Sequence, residues 1–108
     1  MNCARMVLMF CVLLAAGCAQ QIRVIDGDTL VVEGVRVRVA EINCPEPGEP
    51  GGAEATEFAR RFIARGRVRV LPVRGRDKYG RTLARIEVAG KDLGLALIAA
   101  GLAVPYRP

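Results

Sequence analysis

Apolar and charged residues alternate cleanly along Val35–Ile42. Val35, Val37 and Val39 fall on one side, Arg36 and Arg38 on the other, which is the period of a half-buried strand. Two shorter runs precede it. Ile22–Ile25 and Thr29–Val32 read as strands, and Glu33-Gly34 reads as the turn into the third. Residues 43–52 are dense in proline, glycine and glutamate and read as a loop. The period then changes. In AEATEFARRFIARG, the residues Ala55, Phe58, Ala59, Phe62 and Ile63 recur at helical spacing and make one apolar face. Glu54 and Glu57 come early and Arg60, Arg61 and Arg65 late, an order that complements the helix dipole, and Gly66 offers a C-terminal cap. Val68–Val73 predicts a fourth strand, with Pro72 marking an edge or a bulge. Gly75 to Gly80 reads as a charged turn and Thr82–Val88 as a fifth strand. Asp92 caps a second helix running to about Ala100 and ended by Gly101, with Gly94 inside it lowering its propensity. The order β-β-β-α-β-β-α is mainly β with two helices. It suits a small five-stranded closed barrel, the OB-fold architecture. There is no internal repeat.

The N-terminus follows a different pattern. After Arg5 come eleven apolar residues, MVLMFCVLLAA, then Gly17, Cys18 and Ala19. A short apolar stretch ahead of small residues reads as an export signal. It is too short to span a bilayer comfortably, which takes about 20 apolar residues. Its end, LLAAGC, resembles the lipobox of bacterial lipoproteins, in which cleavage leaves the cysteine, here Cys18, as the lipidated first residue. An ordinary signal cut one or two residues later, or a plain membrane anchor, are the alternatives. The expected organisation is a signal over 1–17, a short tether over 18–21 and one domain over 22–108. The expected location is the cell envelope, periplasm or outer membrane, or the exterior if the signal is cut without lipidation.

Composition narrows the chemistry. The chain has 108 residues, enough for a single domain. With Arg5 set aside, 15 basic residues face 11 acidic ones, and most of the basic ones are arginine. A positive domain favours polyanions. On the lipoprotein reading the four cysteines do not make a disulfide set: Cys3 and Cys11 would leave with the signal, Cys18 would be acylated, and Cys44 would stand alone. Histidine is absent, which excludes imidazole bases and imidazole metal ligands. Hydrolysis would have to use carboxylates, guanidinium groups, tyrosine, lysine or a hard metal ion.

Asp26 and Asp28 straddle Gly27 at the end of the first strand. Two carboxylates two residues apart can face one hard cation, and Gly27 would let a cation or a phosphate approach the backbone. Asp-Gly is also a common turn dipeptide, so the stretch alone leaves both readings open. Further along come RVAEINCPEP at residues 38–47 and DKYGR at residues 77–81, with GLA near the end. VIDGDT, an arginine leading to PE, DKYGR and GLA, in this order over roughly residues 22–106, resemble the staphylococcal nuclease family.

The resemblance implies a Ca²⁺-dependent phosphodiesterase on an OB-fold barrel, cutting DNA and RNA with little sequence preference and acting as a monomer. It implies Asp28 as the metal-ligand aspartate and Asp26 as its neighbour just outside the ligand set. It implies Arg38 and Arg81 as the arginines that grip the scissile phosphate, and Glu46 as the glutamate that positions or activates water. The backbone carbonyl of Cys44 would contact the metal, and Lys78, Tyr79 and Tyr106 would line the substrate site. The chemistry is coherent by itself, because a divalent ion and guanidinium forks suit the charge that builds on an attacked phosphate.

The sequence departs from the family pattern in two places. The family usually has a second metal-binding aspartate two residues before PE's proline, and here Asn43 stands there, with an amide oxygen but no charge. Glu41 would lie on the same strand face if the strand ran on, and would then compensate. The family also usually continues past GLA…Y into a further helix, and the expected fold over 22–108 is drawn without it. Three functions follow: a nuclease tethered to the membrane or secreted, an OB-fold nucleic-acid-binding module weakened by Asn43, or a structural envelope lipoprotein.

Overall fold

In a computed structural model of the chain, residues 19–77 and 79–107 are described. The expected signal, Cys18 and Lys78 lie outside the described residues. No helix among the described residues is long and apolar enough to cross a membrane.

Alternating residues drive the first three strands into one antiparallel meander: β1 (Ile22–Asp26), β2 (Thr29–Val32) and β3 (Val35–Val39). Glu33 and Gly34 make the β2–β3 turn with φ of 50° and 79°, both left-handed, which suits the twist of a tight hairpin. Val24, Leu30 and Val37 pair across the three strands and are buried together. After helix α1 (Gly52–Ile63) the chain returns as β5 (Val68–Arg76) and β6 (Thr82–Val88), an antiparallel pair whose second strand runs parallel to β3. The sheet order is therefore β1-β2-β3-β6-β5. Among the described residues no backbone pairing joins β1 to β5. The side-chain amide of Gln20 spans that opening, donating to the Val68 carbonyl at 2.8 Å and accepting from the Val68 N–H at 2.8 Å. Five strands with a helix between the third and fourth long ones are the OB-fold order the pattern predicts, while the backbone pairing that would close the expected barrel is not among the described residues.

The interior is filled by Leu30, Val37, Val39, Phe62, Ile86, Leu93 and Leu97, all essentially inaccessible to water. Fully burying each of these side chains contributes roughly 1.5–3 kcal/mol. Helix α1 supplies Ala55, Ala59 and Phe62 to this core, as its spacing predicts, while Phe58 and Ile63 are partly buried against it. The helix stops at Ile63 with Ala64 as its cap, three residues before the expected Gly66. Helix α2 (Leu93–Ala99) is capped by Asp92, whose carboxylate accepts from the Leu95 N–H at 2.9 Å. The glycine at 94 has a packing reason: a Cβ there would stand 3.2 Å from Ile42, so its absence lets the helix close on the barrel.

Two expectations need correction. β3 does not run to Ile42. It ends at Val39, and Glu41 takes a left-handed φ of 68°, which swings the chain out of the sheet. Residues 42–43 then form β4 (Ile42–Asn43), which pairs with β8 (Val104–Pro105) near the C-terminus. Strand β5 also continues through Gly75 to Arg76, where a charged turn was expected. A register shift between Pro72 and Arg76 absorbs the extra residues, as a proline on an edge strand allows. The remaining short strand, β7 (Lys91–Asp92), pairs with β6 and leads into α2.

Candidate active site

The β1–β2 connection and the segment after β3 meet at one end of the barrel, and their meeting point is Asp28. Its Oδ2 accepts from the backbone N–H of Cys44 at 2.8 Å, and its Oδ1 from the Thr29 hydroxyl at 3.2 Å. Arg38 adds a guanidinium 3.4 Å from Oδ2. Asp28 is buried, and the Cys44 amide, the Thr29 hydroxyl and the Arg38 guanidinium compensate the water its carboxylate gives up. The Thr29 hydroxyl and the Cys44 amide were not foreseen as partners; the only hint was their place beside the aspartate in IDGDT and before PE.

Arg38 is a hub. Its Nη1 donates to the Val39 carbonyl at 2.7 Å, and its Nη2 donates to Asn43 Oδ1 at 3.1 Å while facing Asp28. Asn43, in the position of the missing aspartate, thus holds an arginine with its amide oxygen. Asp26 accepts from the Asp28 N–H at 3.1 Å. Burial first, then the neighbouring Asp28 carboxylate, push the Asp26 carboxyl above its usual range.

Gly27 has a different reason from the one expected. It is buried, and a Cβ there would lie 2.9 Å from Ala55 Cβ and 2.9 Å from Cys44 Sγ. The glycine lets α1 and the Cys44 segment press on the turn. The Cys44 thiol is buried, and burial, reinforced by the charges of Asp28 and Asp26, pushes it up to about 12. It stays a thiol at neutral pH and is not a nucleophile.

Glu41 does not compensate for Asn43. The left-handed turn at that residue points its carboxylate at Arg85, 3.1 Å away. Glu41→Gln is therefore expected to leave the cation dependence of any activity unchanged, as measured by titrating Ca²⁺ in a cleavage assay.

Glu46 follows Cys44 by two residues and is exposed. Its backbone is fastened to Glu49 in both directions, N–H to Oε1 at 2.7 Å and carbonyl to the Glu49 N–H at 2.8 Å. No contact of the Glu46 carboxylate joins it to Asp28. Arg81 is fastened to Asp77: the Asp77 carboxylate accepts from the N–H of Tyr79 at 3.0 Å, from the N–H of Arg81 at 2.8 Å and from Arg81 Nε. Burial opposes ionisation of Asp77, but these bonds outweigh it and hold the carboxyl below its usual range. The guanidinium of Arg81 also lies over the Tyr79 ring, 5.3 Å from its centroid. Its two Nη atoms bond to nothing among the described residues. Parallel pairing sets Thr82 beside Val37 and Leu83 beside Arg38, so Arg81 stands at the level of Arg36, one side-chain step from Arg38 on the sheet. Tyr106 is half exposed, donates its N–H to the Glu41 carbonyl at 2.8 Å, and lines a hollow with Arg85 and Arg107. Direct contacts thus unite Asp26, Asp28, Arg38, Asn43 and Cys44. Glu46 and Arg81 lie on segments flanking that cluster, and Tyr106 lines a hollow of its own.

Asp26, Asp28 and Asn43 offer hard oxygen donors, the type that suits Ca²⁺, with two carboxylates and one neutral amide oxygen. Among the described residues no group of three acidic, cysteine or histidine side chains is assembled, so the fit is in donor chemistry with a low count of charged ligands.

Fold and site together define an OB-fold protein with an acid–arginine cluster at one end of the barrel. Residues 36–108 match the family described as staphylococcal nuclease homologue, and the chain belongs to that family. It is 36% identical over 92 residues to a thermonuclease of Staphylococcus intermedius, covering 75% of this chain and 55% of that protein. It is 35% identical over 100 residues to a thermonuclease of Staphylococcus hyicus, covering 81% and 59%. With an uncharacterized endonuclease of Haemophilus influenzae it shares 30% identity over 91 residues, covering 80% and 51%. The chain spans little more than half the length of these relatives.

Proposed function

We propose that this chain is a Ca²⁺-assisted phosphodiesterase that cuts DNA and RNA with little sequence preference, exported and held at the envelope through an acylated Cys18. The observation that carries the reading is the buried Asp28 carboxylate, held by the Cys44 amide and the Thr29 hydroxyl and flanked by Arg38. Asp28 and Asn43, with Asp26 beside them and the Cys44 carbonyl, would hold the cation. When bound, Ca²⁺ supplies positive charge to a phosphate oxygen.

The chain's own residues do the rest. Arg38 presents a guanidinium held by the Val39 carbonyl and the Asn43 amide, so little reorganisation is needed when charge builds on the phosphate. Arg81, braced by Asp77, turns its Nη edge to the substrate. Glu46, exposed beside the cluster, takes the proton of the attacking water. Tyr79 and Tyr106 border the strand. The thermonuclease and endonuclease relatives support this reading.

A second reading has one observation in its favour. Asn43 spends its oxygen on Arg38, so the cluster has less charge for a cation, as in a binding module that has lost turnover. The test uses the full-length protein in detergent with single-stranded DNA, with Ca²⁺ or with chelator. Cutting that requires Ca²⁺ and falls about 10²-fold or more in Arg81→Ala supports the enzyme. Asn43→Asp is expected to lower the Ca²⁺ concentration for half-maximal cutting about tenfold, since a charge pair at ~4 Å is worth roughly 4 kcal/mol gross and much less net. Tight binding without cutting, converted to cutting by Asn43→Asp, supports the module. Cutting indifferent to metal in every variant overturns the metal role.

A further inference from the structure

We propose that Arg23 and Arg36 form a second phosphate-binding row on the outer face of the barrel, beside Arg38, and that it holds the strand of nucleic acid flanking the cleaved bond. The inference rests on the nucleic-acid reading above.

The register makes the row. Arg23 pairs with Val31, and Val31 pairs with Arg36, so all three stand in one line across β1, β2 and β3. The flanking lines Val24–Leu30–Val37 and Ile22–Val32–Val35 belong to the opposite face, and the first is buried. Arg23 and Arg36 are therefore on the outer face, both exposed, with half-buried Val31 between them. The next line on that face is Asp26–Thr29–Arg38, part of the candidate active site. Arg36 and Arg38 are two residues apart on β3, about 6.6 Å along the strand. That is the scale of one nucleotide step along an extended single strand. Arg81, level with Arg36 on the neighbouring strand side, continues the same row.

The charges on this face are unevenly compensated. At the β5–β6 end, Arg69 is paired with Glu87 at 3.3 Å and Arg85 with Glu41 at 3.1 Å. On β1–β3, Arg23 and Arg36 pair with no carboxylate among the described residues. Uncompensated positive charge thus adjoins the acid–arginine cluster, whereas Arg69 and Arg85 are each matched by a carboxylate and Arg74 and Arg76, unmatched among the described residues, lie toward the far end of β5. Arg36 lies about 6.6 Å from Arg38 along the strand and about 9.5 Å from Arg23 across two strands, separations over which guanidinium forks reach neighbouring phosphates.

Binding of a single-stranded 12-mer by the full-length protein, in chelator so that cutting does not intervene, tests the row between 50 and 200 mM salt. Each phosphate contact contributes about 0.7 to the slope of log affinity against log salt on single strands. Arg23→Gln and Arg36→Gln are each expected to reduce that slope by about 0.7, so the fourfold rise in salt costs each variant about 2.6-fold less affinity than it costs the unmodified protein. The advantage of the 12-mer over a dinucleotide narrows in both. Arg69→Gln, which removes an arginine already matched by Glu87, leaves the slope unchanged. A slope unchanged in Arg23→Gln and Arg36→Gln, with normal binding by the unmodified protein, overturns the row and spares the nuclease reading. An equal fall in Arg69→Gln reduces it to diffuse charge and also overturns it. No binding by the unmodified protein overturns both.

Discussion

Asp28→Asn is expected to lower DNA cleavage by about 10³-fold while moving the melting temperature little. The two effects separate because the carboxylate has two jobs. Its structural job is to accept hydrogen bonds from the Cys44 amide and the Thr29 hydroxyl. Asparagine keeps much of that: its carbonyl oxygen takes the Cys44 N–H, and its NH₂ faces a hydroxyl that can turn to accept. Its electrostatic job is different. Asp28 balances Arg38 and, on the proposed function, would supply the charge that draws a divalent cation to the cluster. Asparagine supplies none, and single electrostatic contributions of this kind are typically worth about 10²–10³ in rate. Asp28→Ala adds the structural loss, since the Cys44 amide is left buried without an acceptor, a cost of about 1–3 kcal/mol. Cleavage rates and thermal melts of the two variants check this. Equal melting temperatures for Asn and Ala would mean that the Cys44 amide does not depend on Asp28. Undiminished cleavage by Asp28→Asn would remove the carboxylate from the reaction.

The sheet was legible because its strands obey a single rule. Inward Val24, Leu30 and Val37 alternate with outward Arg23, Val31 and Arg36, and that period fixes both faces before any contact is known. Asp92 as a helix cap was equally legible, since its geometry is local. What the pattern could not carry were choices made by distant segments. Glu41 reads as a strand residue, yet it turns left-handed because Ile42 is wanted in the core and Asn43 pairs with Val104, sixty-odd residues away. Gly27 sits in a motif that invites a ligand explanation, but its missing side chain makes room for Ala55 and Cys44. In the candidate site, motif resemblance pointed to Asp28, Arg38 and Asn43, and the structure brings these three together. It also shows Arg81 closing a turn with Asp77, a local role the motif contains in its own first and last letters.

The largest stability effect falls on a residue whose replacement looks favourable by propensity. Alanine is better than glycine inside a helix by about 1 kcal/mol, so Gly52→Ala at the start of α1 reads as stabilising. The structure says otherwise. A Cβ at Gly52 would lie 1.8 Å from the Glu46 carbonyl oxygen, 2.5 Å from its carbon and 2.9 Å from Pro47 Cα. These are backbone atoms, so no side-chain rotation relieves the clash. Nor is the loop free to step aside. The Gly52 N–H donates to the Glu49 carbonyl at 3.0 Å, the Glu49 N–H donates to Glu46, and the Thr56 hydroxyl donates to the Gly52 carbonyl at 3.0 Å. Overpacking of this kind costs about 1–3 kcal/mol or more. In a domain of this size each kcal/mol lowers the melting temperature by about 4–8 °C. Gly52→Ala is expected to melt about 10–20 °C lower. It is also expected to lose cleavage at temperatures where it remains folded, because Glu46 is the residue displaced. Gly66→Ala is the comparison. Its Cβ would meet Val88 at an ordinary 3.6 Å, so it is expected to melt with the unmodified protein. If Gly52→Ala instead melts at or above the unmodified protein with full cleavage, the loop does not rest on the first turn of α1, and the placement of Glu46 beside the acid–arginine cluster loses its support.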